Sequence, residues 1–506
     1  MRAVGTTFTM NLPYFTTSFN PSGNRYVEAC GRGVLPRELS ELSFEAVQSA
    51  IHWIVGSSNS IEFVTVSRDG TQQRLNFDGT SSNTTFDSSE SFRRPLLAAG
   101  APLAPIIPPK GLASTTGQSV PTPDGGFLFV SNDQRLSQVS STGEDVTSNE
   151  LESIAAPLMD GHITYSTTNQ LWALFNRNTG SRYVHAILGD DEEGYELHVL
   201  NWNAERNLVE IETSVLLPGD DAVYEQLAPL WADINGDGID DIVTTASTSA
   251  GGAQLRAYIL GRNETSGKFQ VTDTVSSPYI GTSNRWLHQI AVGPLGPNGE
   301  TEVVEIRTPH IGGRVRYYRL RDENGKSDDG GSMAVGGGED SSLDLVAETS
   351  VYSTHDIGSR NIDMATVADL NGDGIPELVV PDQQSNFLYG LQRLSGGKVE
   401  EVWRVPLGRM SRRFLSTNIA VSCSGVTSNV SGDGPADRME LLIGLESNEM
   451  LRVSFTPSAL SSGGNNESVE WPVVHSGVSL SSRMEVGCTP FLVWAWMLFS
   501  FLRITC

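Results

Sequence analysis

The sequence predicts an all-β fold, a β-propeller of four-stranded antiparallel blades, with seven blades expected and six the alternative. Three observations predict it. A nine-residue loop of Asp, Asn and Gly occurs twice, each time running straight into a β-branched, apolar stretch. Residues from about 220 to 455 divide into four similar units of strand, loop, strand, turn and strand, a period that suits propeller blades. Glycine is abundant, at 51 of 506 residues, while regular helical periodicity is scarce. One blade cannot cover both of its faces, whereas a closed ring of blades covers them and removes most open edges.

The loops carry the chemistry. Asp233-Ile-Asn-Gly-Asp-Gly-Ile-Asp-Asp241 and Asp369-Leu-Asn-Gly-Asp-Gly-Ile-Pro-Glu377 share the pattern D-x-N-x-D-G-x-x-[DE]. Side-chain oxygens recur at positions 1, 3, 5 and 9: Asp233, Asn235, Asp237 and Asp241, then Asp369, Asn371, Asp373 and Glu377. Alternate residues of a tight loop face one point, and a hard cation takes about six to eight oxygens. Gly238 and Gly374 permit the bend, and the carbonyls of Ile239 and Ile375 offer a further ligand. Three acidic groups, with no basic residue inside either loop, repel one another until a cation neutralises them. Lacking His and Cys, the set suits Ca2+ better than Zn2+. Two structural Ca2+ ions are therefore expected.

An EF-hand is excluded. That loop ends in Glu at about its twelfth position and lies between helices. Here position 12 is Thr244 or Val380, and position 9 leads directly into strand-like runs at 242–245 and 378–380. A calcium loop entering a strand resembles the FG-GAP (VCBS) repeat, the blade unit of integrin-alpha-like β-propellers. The resemblance covers residues 220–455, and 120–220 more weakly. It implies a propeller stiffened by Ca2+. Two of the four units depart from the pattern. The loop 294–302 keeps only Asn298 and Glu302 and has Pro294 and Gly296 at its first two ligand positions, so no metal is expected there. The loop 423–440 is about twice the usual length. Asn429, Ser431, Asp433 and Asp437 keep the right mutual spacing in it but fall out of step with the next strand, which makes a degenerate third site the candidate there.

In chain order, residues 1–58 show little pattern. Leu42, Phe44, Val47 and Ile51 have helical spacing, so one short helix is expected within 39–55. The propeller is expected over 59–460. It opens with a strand pair across 60–77 that turns at Asp69-Gly70, then a Ser/Thr/Asp-rich loop at 78–91 and an Ala/Pro-rich linker at 96–109. Further on, 127–130 pairs with 135–139, 163–165 with 171–174, and 183–188 leads through the acidic turn 190–193 to 195–200. The Gly/Ser/Asp-rich insertion 321–344 reads as a mobile surface loop. Residues 461–489 form a Ser/Gly-rich linker and 490–506 a short hydrophobic tail.

Composition narrows the function. With 34 basic and 60 acidic residues the formal charge is -26, which repels nucleic acid and anionic lipid. Cys30, Cys423, Cys488 and Cys506 have no zinc spacing and leave the question of disulfides open. The N-terminus shows no signal-peptide apolar core. The apolar run at 490–502 is shorter than the roughly 17 to 25 residues of a bilayer span. It fits a short tail anchor, the removable tail of a lipid-anchor signal, or an artefact of how the chain is bounded. Membrane contact is expected only through this tail. Calcium loops suit an extracellular or cell-surface setting, and the sequons at Asn83, Asn263, Asn429 and Asn466 permit glycosylation, although such triplets are common by chance.

A candidate ligand face comprises Arg285, His288, His310, His355 and Arg360, which lie near the starts of inner strands in corresponding places of the repeat. The competing reading is that they satisfy turn carbonyls and pair with the many acids. There is no G-x-S-x-G elbow, phosphate loop or H-E-x-x-H helix. Two functions remain: a non-catalytic binding or adhesion propeller with a protein or carbohydrate partner, and a hydrolase or polysaccharide lyase on the same scaffold. The first is preferred, and no catalytic residue is assigned.

Overall fold

The computed structural model describes residues 161–406 apart from 178–181, 189–190, 322–342, 356–363 and 371–373, together with Asn24, Pro157, parts of 119–146, and backbone strands within 34–85 and 414–457. Contacts divide the chain into Met1–Ala459 and Leu460–Cys506, and the described residues all belong to the first unit. The only helical element among them is one 3-10 turn, Ser395–Gly397.

The strands form seven four-stranded antiparallel blades. Blade 1 is Ser49–Ser57, Ser60–Ser67, Thr71–Leu75 and Ser81–Thr85. Blade 2 is Ser119–Pro121, Phe127–Val130, Leu136–Val139 and Asp145–Val146. Blade 3 is Thr164–Ser166, Leu171–Arg177, Gly194–Asn203 and Leu208–Leu216. Blade 4 is Leu230–Ala232, Asp241–Thr248, Gly252–Arg262 and Phe269–Ser276. Blade 5 is Leu287–Gly293, Glu302–Arg307, Arg314–Leu320 and Leu343–Ser350, and blade 6 is Thr366–Ala368, Glu377–Pro381, Phe387–Leu394 and Lys398–Pro406. Blade 7 takes Phe414–Ser424, Arg438–Leu445 and Met450–Pro457 from the C-terminal side and its outermost strand, Val34–Leu42, from the N-terminal side. A short bridge, Val223–Tyr224, pairs with both blade 3 and blade 4 and joins their sheets. First strands of blades 3 to 7 lie side by side in succession, and that of blade 7 lies beside blade 1.

Burial explains the sequence pattern. Second strands are covered on both faces: Leu171–Arg177, Asp241–Thr248 and Glu302–Arg307 are buried except at their last residue. Residues 171–175 and 242–247 read as apolar or small runs, whereas Glu302–Arg307 also buries two glutamates, Glu302 and Glu305. The outer strand Phe269–Ser276 is mostly exposed and reads as polar. Apolar layers lie between blades. Leu171, Phe175 and Val199 of blade 3 meet Trp231, Ile242 and Tyr258 of blade 4. Leu255 and Val275 of blade 4 meet Val303 and Tyr318 of blade 5.

Two expectations need correction. The helix expected within 39–55 is replaced by strands Val34–Leu42 and Ser49–Ser57, so these residues of the N-terminal segment belong to the propeller. The apolar spacing there fits both periods, but Ile51-His-Trp-Ile-Val55 is β-branched and aromatic, and the next strand, Ser60–Ser67, offers it a ladder. Residues 183–188 form no strand either. Ala186 has a φ of 55°, which breaks extended pairing, and Gly194–Asn203 with Leu208–Leu216 completes that blade instead. The linker at 96–109 and the tail at 490–506 lie outside the described residues. Arg321 and Asp344 pair across the base of the 321–344 insertion at 2.5 Å. Among the described residues no helix is long and apolar enough to cross a membrane.

Candidate metal loops and ligand face

Each blade runs its strands alternately up and down. The loop after every first strand therefore lies at one end of the propeller, here the lower end. The turn between second and third strands and the crossing to the next blade lie at the upper end. The two calcium-type loops follow first strands and sit at the lower end. Of the candidate face, Arg285, His288, His310 and His355 sit at the upper end.

In the blade 4 loop the side chains organise the backbone. Asp233 accepts hydrogen bonds from Gly236 N at 2.7 Å and Gly238 N at 2.9 Å. Asp237 N donates to Asn235 Oδ1 at 3.0 Å, and Asp237 Oδ1 accepts from Ile239 N at 2.8 Å. Gly236 and Gly238 have φ of 79° and 83°, the left-handed region that glycine adopts freely. Asp241 is fully buried, and its oxygens accept from Ile234 N at 3.1 Å and Leu260 N at 2.9 Å. Burial pushes its carboxyl up to about 7, against the pull of those two hydrogen bonds. Asp240, beside it, anchors the loop to blade 3: its carboxylate accepts from Ser166 Oγ at 2.5 Å and its carbonyl from Asn169 Nδ2 at 2.7 Å.

The blade 6 loop repeats the described part of this plan. Gly374 N donates to Asp369 Oδ2 at 3.0 Å, and Leu370 N donates to the buried Glu377 at 2.6 Å. Gly374 has a φ of 90°. Asn371 and Asp373 lie outside the described residues, as do Asn429, Ser431, Asp433 and Asp437 of the candidate third site. Among the described residues no group of three or more His, Cys, Asp or Glu side chains is close enough to hold a metal ion. The donor set of the blade 4 loop nonetheless fits a hard cation. It is all oxygen, Asp233, Asn235 and Asp237 sit on one glycine-bent turn, and Asp241 supports that turn from inside the blade. A bound Ca2+ would supply fixed positive charge there.

At the upper end three of the five candidate residues come together around a tryptophan. The Trp286 ring stacks with His288 and His310, at centroid distances of 5.7 and 6.4 Å, and meets His355 edge-on at 5.0 Å. His288 Nδ1 lies 3.2 Å from Thr354 Oγ1. His288 and His355 are buried, 3% and 1% exposed. Arg285 is exposed, and its carbonyl accepts from Ala253 N at 2.9 Å. Arg360 lies outside the described residues.

Sequence reasoning missed Trp286 and the Glu225, Ser247 and His185 group that it touches. Its indole N–H donates to the carbonyl of Glu225 at 2.9 Å. The buried Glu225 carboxylate accepts from Ser247 Oγ and lies 2.9 Å from His185 Nδ1. An acidic residue two positions before the blade 4 aliphatic run at 227–230 was the available signal.

No protein-family model and no curated protein matches the chain. Among solved structures it is similar to Sqt1 of Saccharomyces cerevisiae, at 8% identity over 85% of this chain and 99% of that one, with a TM-score of 0.33. It is also similar to a protein from Lactobacillus plantarum, at 11% identity over 69% of this chain and 92% of that one, with a TM-score of 0.26. Neither likeness carries an argument about activity, and the propeller rests on the sheets themselves.

Proposed function

We propose that the chain is a calcium-stabilised propeller of the FG-GAP/VCBS kind, acting as a non-catalytic binding module in an extracellular or cell-surface setting. The observation that carries this reading is the matched pair of oxygen-only loops, with Gly238 and Gly374 donating to Asp233 and Asp369 in the same way. Calcium at such loops holds first and second strands together and leaves the upper end free for a partner.

The upper end suits a protein partner better than a carbohydrate. The exposed large apolar residues among those described are Val184, Leu216, Tyr279, Ile311 and Val351, and all five fall at that end. Its loops are tied into a continuous arc. Tyr183 donates to Asn284 at 3.0 Å, Thr308 N to Trp286 O at 2.8 Å, Val351 N to Gly313 O at 2.9 Å, and Gln383 N to Val351 O at 3.2 Å. Four of the five apolar residues are aliphatic, and such pegs on a tied platform match apolar side chains and offer a sugar few hydrogen bonds. Asp191 and Asp220 are exposed on the same end, so a partner segment mixing apolar and basic residues is complementary. The alternative reading, a hydrolase or lyase, needs acid–base groups open to substrate. The burial of His288 and His355 speaks for packing instead.

The test is calorimetric titration of chelator-treated protein with CaCl2. Two ions are expected, with Asp237→Ala and Asp373→Ala each removing one, and a flat titration overturns the reading. For the partner, a displayed peptide library selected on the intact chain should enrich apolar–basic sequences whose binding is lost on Ile311→Asp. Enrichment of other chemistry, or calcium-dependent cleavage of a polysaccharide, counts against it.

A further inference from the structure

We infer that blade 5 carries its own internal cation: the guanidinium of Arg319 stands where blades 4 and 6 would hold a metal ion. The inference rests on the calcium reading of those two blades, and its test is separable from that reading.

The three lower loops share one backbone plan. Ala232 lies opposite Asp241, Gly293 opposite Glu302 and Ala368 opposite Glu377, so the loops have the same length and register. At the same loop position Gly238, Gly299 and Gly374 have φ of 83°, 81° and 90°. The acids that open the three second strands, Asp241, Glu302 and Glu377, are all fully buried. The difference is the neighbour on the third strand. Ile242 pairs with Tyr258, Val303 with Tyr318 and Leu378 with Leu391. One step along, Ile259 falls opposite Asp241, Arg319 opposite Glu302 and Gln392 opposite Glu377. Only in blade 5 is this neighbour cationic.

The guanidinium reaches into the loop. Arg319 Nε and Nη2 donate to Glu302 Oε1 at 3.0 and 2.7 Å, and Nη2 lies 3.3 Å from Glu300 Oε1. Gly296 occupies the position held by Asn235 in blade 4, and a Cβ there would come within 2.9 Å of Nη2. The side chain thus fills the space that a ligand and its ion would share. Arg393 from blade 6 adds a second positive charge, with Nε 3.5 Å from Glu302 Oε2 and Nη2 donating to Val346 O at 3.1 Å. A covalently attached cation cannot dissociate. Blade 5 therefore keeps a neutralised loop at any calcium concentration, whereas blades 4 and 6 depend on the ion. Calcium loss loosens the propeller on either side of a blade that stays closed.

Hydrogen exchange, read blade by blade with calcium and with chelator, tests this. In the wild type chelator should speed exchange in blades 4 and 6 and leave blade 5 unchanged. Arg319→Met should speed blade 5 exchange roughly tenfold or more in both conditions, because it takes the nearer of two cations from the buried Glu302 carboxylate and leaves only Arg393, at 3.5 Å. Arg319→Lys, which keeps the charge, should retain part of the protection. Combining Pro294→Asp, Gly296→Asn and Asn298→Asp with Arg319→Ile should add one calcium to the titrated stoichiometry and make blade 5 chelator-sensitive. Unchanged blade 5 exchange in Arg319→Met, chelator sensitivity of wild-type blade 5, or a grafted loop that takes up no ion each overturns the inference. A wild type that binds no calcium refutes the calcium reading, while Arg319→Met still reports on the internal cation.

Discussion

Asp233→Ala separates what the blade 4 loop does for itself from what an ion does for it. Asp233 caps two backbone N–H groups, those of Gly236 and Gly238, at 2.7 and 2.9 Å. Each such bond contributes about 1 kcal/mol net, and the half-exposed position lets water replace part of it, so the loss without calcium is about 1 to 2 kcal/mol. An ion at a hundredfold excess over its dissociation constant adds about 2.7 kcal/mol per site. The variant should therefore melt slightly lower than wild type in chelator, and its calcium-induced rise in Tm should fall to about half, since one of two sites is gone. Thermal melts of both proteins across a calcium titration give both quantities. If chelator leaves the wild-type melt unmoved, or if Asp233→Ala keeps the whole calcium-induced rise, the loop is a turn held by its own hydrogen bonds and the argument fails.

Other outcomes follow from burial. His162 is buried and its imidazole is held down to about 3, so the unfolded chain takes up a proton that the folded chain refuses; stability contributed above pH 6.5 should drain at about 1.4 kcal/mol per pH unit as pH falls towards 3, and His162→Gln should flatten that limb in acid-melt series. Gly390 lies opposite Trp403, and a Cβ there collides with the indole, so Gly390→Ala should cost about 1 to 3 kcal/mol in denaturant titrations, with Trp403→Phe in the same chain giving part of it back. Trp286→Ala should cost about 3 to 5 kcal/mol by the same measurement, while Trp286→Phe, which loses chiefly the hydrogen bond to Glu225, should cost far less.

The parts of this molecule that were legible in the sequence are those set by neighbours in the chain. The oxygen spacing of Asp233 to Asp241, the glycine bend and the buried run that follows are local facts, and they located three consecutive blades with the right register. What depends on distant partners was not legible. Arg319 acquires its role only once Glu302 is known to lie across the ladder from it, and Arg393 only once blade 6 is set against blade 5. The three histidines at Trp286 come from separate segments, and sequence phase gathered them at one end but said nothing of the ring between them or of their burial. The strand Val34–Leu42 was missed for the same reason, because its ladder partner lies at the other end of the propeller sequence.

That last pairing has a consequence for how the chain comes into being. Val34–Leu42 completes blade 7 against Met450–Pro457, so the two edges that seal the propeller are about 420 residues apart. A ribosome making this protein releases the first of them long before the second exists. Throughout that interval Met450–Pro457 is still unmade and the early strand has an open edge, the kind of surface on which strands of two chains join by mistake. When the two edges finally meet they must shut out every copy of the same strand on neighbouring nascent chains. Assembly should therefore become sensitive to crowding of polysomes, and a version rejoined at its old ends and opened between two blades should mature with a different sensitivity.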